Sequence, residues 1–157
     1  MNVYRRSVVL EASVEDVFAF HANPANITKI SPGWQPAEVL RGGMPATVGA
    51  EFAIRVRFFG VIPLCWAGRW REVESPTLLF DDASSWLLPR WEHRHQFRAL
   101  GARRSEMTDL VSYEFPLGVL GRVIGATLMR LVLAGMFEDR HRRTRAYFER
   151  RGAVSKP

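Results

Sequence analysis

The residues with most to offer chemically lie in one short run, Trp91-Glu92-His93-Arg94-His95-Gln96-Phe97. Successive side chains of a strand point to opposite faces, so Trp91, His93, His95 and Phe97 share one face while Glu92, Arg94 and Gln96 take the other. Two imidazoles on an apolar face need partners, because a buried polar group left unpaired is costly. The segment Arg103 to Phe115 supplies one across Gly101. A three-residue loop (Gly101, Ala102, Arg103) sets Leu100 against Arg104, Phe97 against Met107, His95 against Asp109, His93 against Val111 and Trp91 against Tyr113. A carboxylate facing an imidazole favours the charged ring and fixes its tautomer, as a general acid or base acting on a ligand carbonyl requires. The same pair also reads as a buried polar brace between strands, with no chemistry. Because Asp109 answers His95, the two histidines are not a free ligand pair, and neither a metal nor a cofactor is expected.

A second group of candidates is aromatic. Val48 to Phe59 alternates so that Phe52, Ile54, Val56 and Phe58 share an inner face and Glu51, Arg55 and Arg57 an outer one. A short loop at Gly60 then places Leu64, Trp66, Gly68 and Trp70 beside that inner face, with Arg69 and Arg71 outside. Trp66, Trp70, Trp91, Phe52, Ile54 and Tyr113 would form an aromatic inner wall. Mixed with His93 and His95, that wall has the composition of a ligand pocket, which is apolar with a few directed polar groups.

The elements that must hold these walls can be read on either side. Tyr4 to Glu11 is a first strand. Ser13-Val14-Glu15-Asp16 resembles a capping box opening a helix to about Ala22, and Asn23-Pro24 caps a second short helix to Ile30. Trp34 to Arg41 is a strand, residues 41–45 a loop, Leu78 to Ala83 a short strand. After Pro116 comes a long helix from Gly118 to about Arg150, with Leu120, Ile124, Thr127, Leu128, Leu131 and Gly135 in the stripe that should pack on the sheet. Its opposite side carries Met129, Leu133 and Phe137, a stripe available for a homodimer or for lipid.

Composition sets the outer bounds. With 157 residues, 47% of them hydrophobic, the chain fits one domain, 1–157. The single cysteine, Cys65, excludes an internal disulfide. The first residues lack the apolar core of a signal peptide, which fits a cytoplasmic protein. Leu117 to Phe137 is long enough to cross a bilayer but contains Arg122 and Arg130, so an amphipathic helix and no transmembrane segment are expected. The net charge of +6 rests on arginine, with only Lys29 and Lys156 as lysines. No phosphate loop, zinc spacing or helix-turn-helix pattern accompanies it, so nucleic acid is not the expected partner.

The order strand, two short helices, antiparallel sheet and long C-terminal helix resembles the helix-grip fold of the START/Bet v 1-like (SRPBCC) superfamily. Ala12-Ser13-Val14-Glu15-Asp16-Val17-Phe18 and Asn23-Pro24 look like its opening. The run Trp91 to Phe97, Asp109, Pro116-Leu117-Gly118 and Phe137 to Arg140 are similar to its bacterial polyketide cyclase/dehydrase-like branch. The resemblance implies an α+β fold in which a curved antiparallel sheet of about seven strands wraps the long C-terminal helix around an apolar cavity. It implies binding or transport of a small hydrophobic molecule, lipid or polyketide-like, in contact with Phe52, Ile54, Trp66, Trp70, Trp91, His93, His95, Asp109, Tyr113, Ile124, Leu128 and Leu131. The alternative is an aromatase/cyclase-type enzyme, with His95 or His93 transferring protons, Asp109 orienting them, and Tyr113 or Arg69 on a developing oxyanion. Such folds host carriers, cyclases and regulators alike, so the reading of enzyme or carrier stays open here.

Overall fold

The structure is a computed structural model describing residues 1–42, 45–58, 60–115 and 118–154. Gly43, within the expected 41–45 loop, and the Pro116-Leu117 motif lie outside the described residues, as do the side chains of Arg122 and Ile124.

Strand β1 (Asn2–Leu10) leads into α1 (Val14–His21), whose first turn is capped by Ser13: its hydroxyl accepts from the Asp16 amide at 3.2 Å. Asn23 caps a short 3-10 turn (Pro24–Asn26), and α2 (Ile27–Ile30) follows directly. Then come β2 (Ala37–Arg41), β3 (Glu51–Phe58), β4 (Ile62–Glu74), β5 (Leu78–Ser84), β6 (Arg90–Gly101) and β7 (Arg104–Glu114). These seven strands form one antiparallel sheet in the order β1-β7-β6-β5-β4-β3-β2. The chain closes with α3 (Gly118–Ile124), a π-helical turn (Gly125–Met129) and α4 (Arg130–Val154). This is the expected α+β helix-grip architecture, with two short helices after the first strand and a long helix against the sheet.

The inner registers follow the alternation. Ile54 pairs with Trp66, Phe52 with Gly68, His95 with Asp109, His93 with Val111 and Trp91 with Tyr113. The β6–β7 connection differs in detail: Gly101, not Leu100, stands opposite Arg104, and the register shifts between Ala99 and Gly101. A two-residue turn plus one extra residue on β6 consumes as much chain as the expected three-residue loop, so the inward pairs come out the same. Val48 lies outside β3 and is exposed.

The long helix presents the other stripe to the sheet. Leu128 and Leu131, expected to face inward, are 59% and 68% exposed, and Leu120 is exposed with them. Met129, Leu133 and Phe137, expected to offer a dimer or lipid surface, are buried, and so are Met136, His141, Thr144 and Phe148. Both stripes are apolar as far as Phe137. Beyond it only one continues with residues a sheet can accept (His141, Thr144, Phe148), while the other runs into Glu138, Arg142 and Glu149. The π turn carries an extra residue and rotates the following face further from an ideal helical count. By length and composition the helix Gly118–Gly152 could cross a bilayer, with mean hydropathy 1.6 in its most apolar window. Its buried residues pack on the sheet: Phe137 stacks on Tyr4 of β1, with ring centroids 5.6 Å apart.

Candidate functional site

Between the inner face of the sheet and the helices lies a cavity of about 140 Å³. Seven of the twelve expected ligand contacts line it: Phe52, Ile54, Trp66, Trp70, Trp91, His93 and His95. Trp66 and Trp70 come from β4 and Trp91 from β6, on either side of β5, and the Trp66 and Trp91 rings lie 4.8 Å apart. Room for this wall exists because position 68 is glycine, where a Cβ would fall 2.5 Å from Phe52 Cζ. The helix contributes Met129, Val132, Leu133 and Met136 in place of Leu128 and Leu131, and Ile124 remains outside the described side chains. Tyr113 is buried beneath Trp91 and does not line the cavity.

One end of the cavity is polar, and it is organised by Asp109. Fully buried on β7, this carboxylate accepts from His93 Nε2 at 2.9 Å and from His141 Nε2 at 2.5 Å. Its Oδ1 also stands 2.6 Å from His95 Nδ1, out of line for a hydrogen bond. Burial opposes ionisation of Asp109, but His95 and the hydrogen bonds from His141 and His93 outweigh it and hold the carboxyl well below the usual range. An ionised carboxylate can only accept, so His93 and His141 each donate to it from Nε2. His95 itself is held below the ordinary imidazole range, chiefly by burial and then by His93.

Three further polar residues stand at this end of the cavity, none of them among the expected contacts. His21, at the end of α1, donates from Nδ1 to the Val17 carbonyl at 2.8 Å, and burial together with His95 lowers its pKa to about 3. It is a neutral ring. Asp81 of β5 sits directly across from His93, with Oδ2 3.9 Å from His93 Nδ1, and burial pushes its carboxyl up to about 7. Arg140 of α4 lines the same end. Arg69, considered for an oxyanion, is on the outer face in an ion pair with Glu51 at 2.9 Å. His141, Asp81 and Arg140 were legible only through partners. Asp81 faces His93 once β5 is paired with β6, and Arg140 and His141 follow from the stripe Leu133, Phe137 at helical spacing.

Donor atoms of Asp81, His93 and His95 all lie within 4.8 Å of one another, the one His/Asp trio among the described residues that approaches metal-ligand spacing. The three could hold an ion between them, with His93 Nδ1 and Asp81 Oδ2 3.9 Å apart. What the cluster does as it stands is fix ring orientations and present proton donors and acceptors to the cavity.

A curved seven-stranded sheet gripping a long C-terminal helix over an apolar cavity defines a START-like helix-grip protein. The chain belongs to the family described as a domain of unknown function, DUF8410, whose model matches residues 40–148. Solved structures share the fold at low identity. Protein CV1439 from Chromobacterium violaceum is 16% identical, with TM-score 0.71 over 94% of this chain and 97% of that one. A START superfamily protein from Mycobacterium smegmatis is 14% identical, with TM-score 0.70 over 94% and 97%. The di-domain ARO/CYC BexL from the BE-7585A biosynthetic pathway is 14% identical, with TM-score 0.67 over 93% of this chain and 46% of its own. No curated protein matches the chain.

Proposed function

We propose that the protein binds a small hydrophobic molecule, lipid or polyketide-like in character, in the cavity between sheet and helix. The observation that carries this reading is the cavity itself: about 140 Å³ of space walled by Phe52, Ile54, Trp66, Trp70, Trp91 and Met136. A dry cavity of about 150 Å³ is large enough to hold a benzene ring. The space as it stands is of the size that takes a small aromatic molecule. Three tryptophans on the wall supply the readout. Titration with 1-naphthol should change tryptophan emission saturably, and Trp91→Leu should weaken binding. Emission that never saturates, together with no small molecule retained in native mass spectrometry, would discard the reading.

A second reading, proton transfer at a carbon next to a ligand carbonyl, is favoured by one observation. Asp81, whose carboxyl burial pushes up to about 7, stands in the cavity wall across from His93 and close to His95. In it His95 or Asp81 removes the proton while Asp109 acts as a positioning residue. Cyclohexanone in D₂O provides the assay: α-hydrogen exchange followed by NMR should exceed the buffer rate and fall in His95→Gln. Exchange at the buffer rate excludes it.

A further inference from the structure

The proposal that follows rests on the cavity reading above and deepens it by naming the ligand's chemical class. It starts from two polar atoms that have no hydrogen-bond partner among the described residues although both are buried: Arg140 Nε, a donor, and Gln35 Oε1, an acceptor. Both residues line the cavity, and Gln35 is only 2% exposed. Polar atoms left unpaired in a folded interior are rare, and where they cluster on a cavity they mark what an occupant must supply.

Arg140 is the more demanding of the two, because a guanidinium stays cationic and carries five N–H donors with a fixed geometry. The nearest anions do not answer it. Both oxygens of Asp109 are taken up by the imidazoles of His93, His95 and His141. Asp81 is turned toward His93 and half protonated near neutral pH. Asp109 and Asp81 act on Arg140 through space, while burial pulls it below the ordinary guanidinium range. The ring of Phe137, 5.9 Å from Arg140 Cζ, gives it a weak aromatic contact.

We propose that the cavity takes a ring-sized organic acid, with the apolar body against the tryptophan wall and its anionic oxygen on the Arg140 guanidinium. A carboxylate would accept in-plane N–H donors there, in a water-poor setting where a charge-assisted hydrogen bond is strong. Gln35 accepts from a hydroxyl or N–H where the acid carries one. A wholly apolar lodger would leave both atoms unpaired, so the polar end selects against it.

The test compares benzoate with its neutral near-isostere benzamide by isothermal titration at pH 7.5, on the full-length chain and on two variants. Benzoate should bind the parent protein at least tenfold more tightly than benzamide. Arg140→Met should remove that preference while leaving benzamide affinity within about twofold, and Arg140→Lys, which keeps a cation there, should retain part of it. Equal binding of the two probes by the parent, or a benzoate preference that survives in Arg140→Met, overturns the proposal and leaves the cavity reading standing. If benzamide, benzoate and 1-naphthol all fail to bind, the cavity reading itself falls. Should Arg140→Met not fold, as judged by near-ultraviolet circular dichroism, Arg140→Lys still decides: a preference undiminished from the parent's counts against the guanidinium.

Discussion

Asp81, buried, and His21, partly buried, line the cavity wall and are shifted in opposite directions from their ordinary pKa values. Burial raises Asp81 to about 7, against about 3.9 in an unfolded chain. The folded protein then holds a proton the unfolded chain has released, so this contribution to stability is complete below about pH 4 and is lost as pH rises to about 7. His21 is lowered to about 3 by burial and by His95, against about 6.5 unfolded. There the unfolded chain binds the extra proton, and stability falls as pH drops from about 6.5 toward 3. Asp81→Asn removes the first dependence alone. Relative to the parent, it should gain stability between pH 4.5 and pH 8, by about 3 kcal/mol, measured as urea midpoints at the two values. A difference between variant and parent that does not change with pH would show that Asp81 is ionised throughout.

At the scale of elements, the close approach of β3 and β4 governs the cavity's width. Gly68→Ala would place a Cβ 2.5 Å from the Phe52 ring and 2.9 Å from the Asp82 carbonyl. The backbone contact cannot be relieved by rotating a side chain, so the variant should lose about 1–3 kcal/mol of stability. It should also push Phe52 into the cavity and weaken 1-naphthol binding; undiminished affinity would mean that the ring moves elsewhere. The strands were readable from the sequence because alternation at a period of two leaves one assignment of faces per strand, and the turn at Gly60 fixed the next strand's phase. That is why the pair His95–Asp109, and the inner face shared by Ile54 and Trp66, could be written down from the residues alone. The helix was harder. Residues 119–137 are apolar on both sides, so periodicity could not choose between the Leu128–Leu131 and the Met129–Leu133 stripes. The choice is made by a long-range polar contact, His141 to Asp109, which no local pattern contains. The same gap hid Arg140, whose place among charged residues at the helix end reads as solvent exposure until Phe137 is known to point inward.

Across the whole molecule, the overall architecture was the most legible feature, since element order and the opening and histidine-strand motifs both pointed to a helix-grip fold. The cavity's aromatic wall was legible as well. Its polar end was visible only in part, because Asp81, His21 and Arg140 come from three elements that meet through tertiary packing. The sheet's strand order has a further consequence for how the chain assembles. Strands β2 to β7 each pair with a sequence neighbour, but β1 pairs with β7, joining Asn2 to Tyr113 and Val8 to Met107. Closing a loop of about a hundred residues carries an entropy cost that nearest-neighbour hairpins avoid. The meander can therefore form before the first strand docks, although that strand leaves the ribosome first. Val8→Ala, which trims a buried β1 residue, should accelerate unfolding and change the refolding rate by less than about twofold in stopped-flow chevrons. A refolding arm slowed in proportion to the lost stability would place β1 in the nucleus. If instead β1 docks late, that segment waits during synthesis for a partner made about a hundred residues later, and Tyr4, on which Phe137 of the long helix stacks, arrives only with that docking.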